Sequence, residues 1–385
     1  MPRFNPLLDA LPAYPAHALE QRKAAAVAAG RRIFDFGVGD PYEPAPDFVR
    51  SALVDALGPA CPYPSVRGRP GLRTSIANYL ARRFGVTVDP AAAILPTSGA
   101  KEAVFHLPAA FIDPRSPDRL VPFPDPGYPA YSRGVLFAGG EPAPIRLSGD
   151  HHLRPADLSD ALLARSRMVW LNHPHNPSGA TLSREELRAL ADRCRAFDVV
   201  LVNDETYADV YTGAPPASLL EAGLENVLVV HSLSKRSGMT GYRSGFLAGD
   251  PAVIARLSDH RTNPVLAPQD FVNAAAAAAW EDDAHVAQRR VGLARRKALL
   301  VDALREAGLD VLPADATLYL WVRTPPGWSD TAFAAHLLDA GIVVAPGSSF
   351  GVAGGGAGYI RVAVILPEDD LRASLPHWRA ALQAR

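Results

Sequence analysis

Short apolar runs alternate with amphipathic stretches through the middle of the chain, from residue 93 to residue 250. Short apolar runs bounded by glycine, proline or polar residues are typical of buried strands, whereas apolar residues spaced three and four apart predict helices. The predicted strands are AILP, RLVPF, RMVWLN, VVLVND, NVLVVHS and GFLAG, and the helices are SGAKEAVFHLPAAFI and SREELRALADRCRAF. The second helix opens with Ser183 and Glu186 in the spacing of a capping box. The alternation predicts an α/β fold with a mostly parallel sheet covered by helices.

The flanking parts of the chain predict further helices and a second, smaller unit. The first thirty residues are interpreted as an arm and a polar helix, and apolar spacing predicts helices over 47–57, 72–84, 269–282 and 285–306. Towards the C-terminus, YLWV, FAAHLLDAG and YIRVAVI predict a smaller α+β domain, and GVAGGGAG is expected to form one loop.

The length of 385 residues favours more than one domain. We expect an N-terminal arm with part of the small domain at 1–50, a large domain at 51–285 and the rest of the small domain at 286–385. There is no helix-turn-helix pattern and no internal repeat.

Composition is that of an ordinary soluble globular protein, with 48% hydrophobic and 21% charged residues. A net charge of −1 does not favour nucleic acid or a membrane surface as a partner, so a small-molecule substrate fits better. Cys61 and Cys194 are the only cysteines and form no CxxC pair, so neither a disulfide framework nor a cysteine zinc site is predicted, and a reducing cytoplasm is the expected location. The N-terminus lacks the uninterrupted apolar core that a signal peptide needs.

Lys235 is the first candidate for chemistry, and the chain contains only three other lysines, Lys23, Lys101 and Lys297. It follows the apolar run NVLVV, so it is expected at the carboxyl end of a strand, where α/β sheets place their ligands. Ser232, Ser234 and Arg243 lie close to it in sequence and supply the hydroxyl and guanidinium donors that suit a phosphate. The alternative is a solvated lysine in a polar loop.

A second candidate anion site is SGAKE, residues 98–102, which opens a predicted helix after a strand. The N–H groups of Gly99, Ala100 and Lys101 would face a phosphate there, assisted by the helix dipole. A generic strand-to-helix turn has the same sequence pattern.

Asp204 and Tyr207 follow the strand VVLV in the motif NDETY. A buried carboxylate needs a partner, which a protonated ring nitrogen or an arginine would provide. Asn176 in NHPHNPSGA follows another predicted strand, and its amide is suited to donate to a phenolate oxygen. His173 and His175 in the same segment have no third ligand at metal spacing, so no metal site is predicted.

Taken together, these stretches resemble the class I/II aminotransferases, which are pyridoxal 5′-phosphate (PLP) enzymes of fold type I. The resemblance runs through nearly the whole chain in the family's order: FGVGDP from residue 36, YPSVRG, SGAKE, PDPGYPAY, HNPSG, DETY, SLSKRSGMTGYRSG and GYIRVA from residue 358. It implies a large PLP-binding domain, a smaller domain, and amino acids and 2-oxo acids as substrates.

The resemblance also implies roles for individual residues. Lys235 would carry PLP as a Schiff base and shuttle the proton of the substrate α-carbon, while Asp204 would keep the ring nitrogen protonated. Arg361 in YIRVA would clamp the substrate α-carboxylate in a bidentate fork, with Asn176 and the Gly39 backbone beside it. Tyr207 and Asn176 would hydrogen-bond the 3-oxygen of the cofactor, and Tyr128 would stack on its ring. The phosphate would be bound by Ser232, Ser234, Arg243, Gly99, Ala100 and Lys101, and by Tyr63 from the other subunit of a homodimer. Lys235 must be neutral to act as a base. We expect a cationic, partly buried pocket that includes Arg236 and Arg243 to lower its pKa.

Within the family, the flanking residues most resemble the N-succinyldiaminopimelate aminotransferases of lysine biosynthesis, which exchange an amino group with 2-oxoglutarate. Arg67, Arg69 and Arg133 are candidates for a second carboxylate receptor, with a surface position as the alternative. Rival interpretations are an aspartate or aromatic aminotransferase, a PLP-dependent carbon–sulfur lyase and a regulatory PLP-binding module. The last would need a DNA-binding domain, and a nicotinamide oxidoreductase would need a GxGxxG motif; neither pattern is present.

Overall fold

The computed structural model describes residues 2–10, 15–263 and 266–383. Its helices are α1 Leu7–Ala10, α2 Pro15–Ala28, α3 Asp47–Asp55, α4 Pro70–Phe84, α5 Ala100–His106, α6 Ala130–Phe137, α7 Asp160–Ala164, α8 Arg184–Arg195, α9 Leu233–Arg236, α10 Pro251–Thr262, α11 Asp270–Glu281, α12 Ala284–Glu306, α13 Asp330–Asp339 and α14 Glu368–Gln383. Its strands are β1 Phe34–Asp35, β2 Ile94–Thr97, β3 Leu120–Asp125, β4 Glu141–Arg146, β5 Met168–Asn172, β6 Val200–Asp204, β7 Val227–Ser232, β8 Gly245–Gly249, β9 Asp310–Val311, β10 Tyr319–Arg323, β11 Ile342–Val343, β12 Ala345–Pro346 and β13 Tyr359–Ala363. The predicted N-terminal arm includes residues 1 and 11–14, which lie outside the described ranges.

The larger sheet has the order β2-β8-β7-β6-β5. Strands β5, β6 and β7 run parallel, and β8 is antiparallel to both of its neighbours. Alternate residues of one strand face opposite sides of a sheet, and in β5 Trp170 and Val169 accordingly belong to different hydrophobic clusters. Both faces are covered, which explains why these strands are continuous apolar runs. The predicted α/β fold is confirmed.

Strand β4 was not predicted from the sequence. It pairs in parallel with β3 over its whole length, and a single bridge from Leu120 to Ser166 joins this pair to the β5 side of the sheet. Its sequence, EPAPIR, contains two prolines, which lack the N–H group that an interior strand needs. An edge position tolerates prolines. The two prolines that made this strand hard to predict therefore also indicate that it lies at an edge.

Helix boundaries follow local rules at two predicted positions. In α8, the Glu186 N–H donates to Ser183 Oγ at 3.2 Å and the Ser183 N–H donates to Glu186 Oε2 at 2.7 Å, which confirms the capping box. The helix predicted from SGAKE is shorter than expected, because α5 ends at His106 and continues as a 3₁₀ turn over Leu107–Ala110. Pro108 has no N–H to continue the α-helical ladder.

The smaller sheet has the order β12-β13-β10-β9 and is antiparallel. Its hydrophobic cluster includes Phe34 and Phe36 from the N-terminal part of the chain, and the Ala363 N–H donates to Phe36 O at 2.7 Å. Residues 351–358 form a single loop between the turn at Gly347–Phe350 and β13, as predicted. The predicted domain limits at residues 50 and 285 stay a prediction. In the described part of the chain, no helix has the length and apolar character needed to cross a bilayer.

Candidate active site

A cleft of about 420 Å³ lies at the carboxyl ends of β5, β6 and β7, closed on its other side by β12, β13 and the segment after β1. Most of the predicted site residues line it: Gly39, Ala100, Lys101, Tyr128, Asn176, Asp204, Tyr207, Ser232, Ser234, Lys235, Arg243 and Arg361. Because the ends of parallel strands meet at one edge of a sheet, motifs that are far apart in sequence converge here.

Lys235 lies in α9, the short helix that follows β7. Its Nζ donates to the carbonyl of Gly39 at 2.5 Å. Burial lowers the pKa of this amine, and the positive charges of Arg361 and Arg243 lower it further, against the opposing influence of Tyr319 and Asp40. A lowered pKa increases the fraction of neutral amine, the form that acts as a nucleophile or base.

Arg236 does not belong to the cationic pocket that the sequence predicted around Lys235. Its guanidinium is buried on the other side of α9, where Nε donates to Asp209 at 2.8 Å and Nη2 to Asp283 at 2.8 Å. Neighbouring residues of a helical turn point in different directions, so adjacency in sequence did not bring this charge to the cleft. The pKa of Lys235 is lowered by burial and by the charges of Arg361 and Arg243, and not by Arg236 as predicted.

The predicted phosphate donors meet at one end of the cleft. Ser232 Oγ lies 2.9 Å from Ser234 Oγ and accepts from the Ser234 N–H at 3.1 Å, capping α9. Arg243 reaches across to the start of α5, where Nη2 donates to the Ser98 carbonyl at 3.3 Å. Gly99 has a φ of 82°, and a Cβ there would lie 2.7 Å from Arg243 Nη2. Hydroxyls, a guanidinium and a closely approaching backbone together suit a phosphate dianion.

Asp204, at the end of β6, is buried. Its carboxylate accepts from the Tyr131 hydroxyl at 3.0 Å and from the Thr206 N–H at 3.1 Å. The arginine partner that the sequence left open is not found among the described ion pairs. Burial raises the pKa of this carboxyl, opposed by these hydrogen bonds. A buried carboxylate that has no ion-pair partner among the described residues fits a protonated ring nitrogen of a cofactor.

Arg361 projects from β13 into the same cleft. Its Nη1 donates to Asn176 Oδ1 at 3.1 Å and its Nη2 to the carbonyl of Gly37 at 2.9 Å. Its Nε is buried without a hydrogen-bond partner among the described residues. A guanidinium with unused donors inside a cleft is suited to bind a carboxylate in a bidentate fork. The Gly39 carbonyl accepts from Lys235, and the predicted place of the Gly39 backbone beside the substrate carboxylate stays a prediction.

Tyr319 is a site residue that sequence reasoning missed. Its hydroxyl lies 2.8 Å from the Tyr207 hydroxyl, and the Arg361 guanidinium lies 3.9 Å from its ring centroid. A Cβ on Gly39 would lie 2.1 Å from the Tyr319 hydroxyl, which explains the glycine. The only signal was a tyrosine at the start of the apolar run YLWV, and such a residue is more often part of a core.

Tyr131 was also missed, although it lies in the motif PDPGYPAY that pointed to Tyr128. Tyr131 is fully buried, its ring stacks on Trp170 at 5.1 Å and packs edge-on against Tyr128 at 5.8 Å. It thereby supports both Asp204 and the tyrosine predicted to stack on the cofactor ring.

Tyr63 is 93% exposed and does not line the cleft of its own chain. Its predicted reach into the active site of a neighbouring subunit stays a prediction. Of the proposed second carboxylate receptors, Arg67 donates to the Ala91 carbonyl and Arg69 pairs with Asp270, away from the cleft. Arg133, in α6, does not line it either.

His173 and His175 have structural roles. His173 Nδ1 accepts from the Leu182 N–H at 2.9 Å, and His175 lies 2.7 Å from Ser178 Oγ and 2.9 Å from the Pro126 carbonyl. Burial lowers their pKa values to about 4 and about 3, so both rings are neutral near pH 7. Within the described ranges, no group of three histidine, cysteine or carboxylate side chains is placed to hold a metal.

Comparison with known proteins gives one consistent result. The family model described as aminotransferase class I and II matches residues 31–375. An LL-diaminopimelate aminotransferase of Aquifex aeolicus is 33% identical over 377 residues, which is 96% of each chain. The 4-dedimethylamino-4-oxo-anhydrotetracycline transaminase OxyQ of Streptomyces rimosus is 38% identical over 94% of this chain and 98% of its own. The structure of Thermus thermophilus aspartate aminotransferase with maleate superposes with a TM-score of 0.90, at 26% identity, over 99% of this chain and 100% of that one.

Proposed function

Because this chain belongs to the class I and II aminotransferases, we propose that its cleft transfers the amino group of a diaminopimelate derivative to 2-oxoglutarate. The protein is a transaminase that uses PLP. The observation that supports the proposal most strongly is the convergence, in one cleft, of Lys235, the buried carboxylate of Asp204 and the guanidinium of Arg361. These are a base, an acceptor for a ring cation and a receptor for an α-carboxylate.

The residues present fit the cofactor at each of its ends. Asp204 would hold the ring nitrogen, Tyr207 and Asn176 the 3-oxygen, and Tyr128 the ring face. The phosphate would be held by Ser232, Ser234, Arg243 and the backbone at 99–101. When bound, PLP supplies an electron sink for the electrons left on the substrate α-carbon when its proton departs.

The chain's own groups then account for binding and proton transfer. Arg361 binds and orients the substrate α-carboxylate, with the Tyr319 ring packed beneath the guanidinium. Lys235 Nζ, with its lowered pKa, takes the proton from the α-carbon of the amino donor. It later gives a proton to the α-carbon of the 2-oxo acid that receives the amino group. Tyr131 and the Thr206 N–H favour the charged form of Asp204 and so oppose the rise in its pKa that burial causes.

We propose that the amino donor is the N-succinyl derivative of diaminopimelate. The flanking motifs of this chain support the succinylated form, and several relatives at 33–35% identity are named for LL-diaminopimelate itself. The two share the diaminopimelate skeleton and differ in whether one amino group is free or carries a succinyl amide. OxyQ, at 38% identity, is named for a different substrate, so a direct comparison of amino donors tests the proposal.

We expect both donors to reduce the visible absorption of the PLP-loaded enzyme, with a kcat/KM for N-succinyl-LL-diaminopimelate at least about 10-fold above that for LL-diaminopimelate. One recognition contact supplies a difference of this size. Stopped-flow absorbance with each amino donor, and with glutamate as the common donor, measures this. Preference for LL-diaminopimelate would move the substrate to that of the named relatives. Bleaching by glutamate alone would contradict both forms.

We further propose a homodimer in which Tyr63 enters the neighbouring active site. The support is the resemblance in the segment YPSVRG together with the 93% exposure of Tyr63 in one subunit. The cytoplasmic location stays a prediction from the sequence.

A further inference from the structure

The glycine loop, residues 351–358, crosses the carboxyl end of β3 at Asp125. The Asp125 side chain is only 1% exposed, and its carboxylate accepts three backbone hydrogen bonds from this loop. Oδ1 accepts from the Val352 N–H at 2.9 Å, and Oδ2 accepts from the N–H groups of Ala353 at 3.2 Å and Gly355 at 3.0 Å. Closely spaced backbone N–H groups that converge on one carboxylate in this way form a concave anion site.

The loop can approach Asp125 so closely because of its glycines. A Cβ on Gly355 would lie 2.5 Å from Pro126 N and 2.7 Å from Asp125 Cγ, so a larger residue would push the loop away. Gly354 and Gly356 have φ angles of 85° and 78°, in the left-handed region that glycine occupies without cost. The contact is therefore built from both sides, by the carboxylate and by the glycines.

The same loop is continuous with a wall of the active-site cleft. Ser349 and Phe350, which line the cleft, come immediately before it. The Phe350 carbonyl accepts from the Gly127 N–H at 2.8 Å, and the Arg361 guanidinium lies 4.4 Å from the Phe350 ring centroid. Asp125 thus binds the loop that directly follows Ser349 and Phe350, the residues that line the cleft beside Arg361.

Asp125 also begins the turn that carries Tyr128 on another wall of the cleft. One carboxylate consequently connects the end of β3, in the two-stranded β3–β4 pair, to the loop that enters β13 in the smaller sheet. Neither Asp125 nor the glycine loop lines the cleft, so the connection acts through the residues next to them.

We propose that Asp125 is a positioning residue of the transamination site: by binding the glycine loop it fixes Phe350 beside Arg361 and sets the room for the substrate side chain. This inference rests on the proposed function. It assigns the Asp125 side chain an influence on substrate binding, through Phe350 and Arg361. Apart from Tyr128, whose turn follows Asp125, the residues proposed to hold the cofactor come from other elements. Loss of the contact therefore raises KM more than it lowers kcat.

The test compares Asp125→Asn, Gly355→Ala and the double variant with wild type, with Asp118→Asn as the matched control. Asparagine has nearly the same size, but its amide NH₂ cannot accept a hydrogen bond from the loop. Gly355→Ala displaces the loop without changing a buried charge. Asp118 lies just before β3 and forms a partly exposed ion pair with Arg167 at 3.0 Å. Each protein is loaded with PLP, and kcat and KM are measured for N-succinyl-LL-diaminopimelate and for glutamate.

We expect each single variant to raise KM for the amino donor by about 10-fold with kcat changed less, while the affinity for PLP and its visible band stay as in wild type. The double variant should be no worse than the more affected single variant, since both remove one contact. Unchanged KM in Gly355→Ala, effects that multiply in the double variant, or a loss of PLP affinity would overturn the inference. If wild type itself transfers no amino group, the proposed function is at fault instead.

Discussion

Replacement of Lys235 by alanine is expected to reduce amino transfer by at least about 10⁴-fold, because one substitution removes both the nucleophile and the general base. In the structure this amine is the one lysine of the described residues that combines a place in the cleft with the end of a central strand. Lys101 also lines the cleft, but it lies in the predicted phosphate-binding turn at the start of α5.

The measurement is kcat/KM for the preferred donor with each protein loaded with excess PLP. Lys23→Ala is the matched control, since Lys23 pairs with Asp35 and does not line the cleft. It should retain wild-type activity. A Lys235→Ala enzyme that keeps more than about 1% of the wild-type rate would show that another group performs the proton transfer.

Arg361→Lys should raise KM for the amino donor and lower kcat/KM by about 10- to 100-fold. Lysine keeps the positive charge but presents a single ammonium in place of the planar fork that binds a carboxylate at two points. The α-carboxylate is held throughout the reaction, so most of the loss belongs to binding and kcat falls less than kcat/KM. The substitution also removes the planar contact with the Tyr319 ring at 3.9 Å.

Arg323→Lys provides the control for this variant. Arg323 is on the adjacent strand β10, where its side chain is more than half exposed and pairs with Asp310 at 3.1 Å. We expect it to behave as wild type. If Arg361→Lys leaves kcat/KM unchanged, or loses PLP instead of substrate affinity, the α-carboxylate receptor lies elsewhere in the cleft.

The sequence predicted the residues that follow a buried strand directly. Asp204 ends β6, and Ser232 and Lys235 end β7 or begin α9, so the edge of a parallel sheet brings them together. Tyr319 and Tyr131 gave no such signal, because each is an aromatic residue inside an apolar pattern. Their roles depend on contacts over 112 and 73 residues of sequence, which only the folded chain shows.

Local adjacency misled in one case and concealed a contact in another. Arg236 directly follows Lys235, yet the helical turn directs its guanidinium to Asp209 and Asp283. Asp125 lies within a motif noted for Tyr128, and the glycines of residues 351–358 were interpreted only as a loop. Their contact spans more than 220 residues, beyond the reach of any periodicity.

Identification of the lysine that carries the cofactor tests the account most directly. The PLP-loaded enzyme is reduced with borohydride, which turns the bond between cofactor and lysine into a stable amine, and is then digested and mapped by mass spectrometry. We expect the added mass on the peptide that contains Lys235, and its loss when glutamate is added before reduction. Attachment at Lys101 or at another lysine, or no attachment at all, would contradict it.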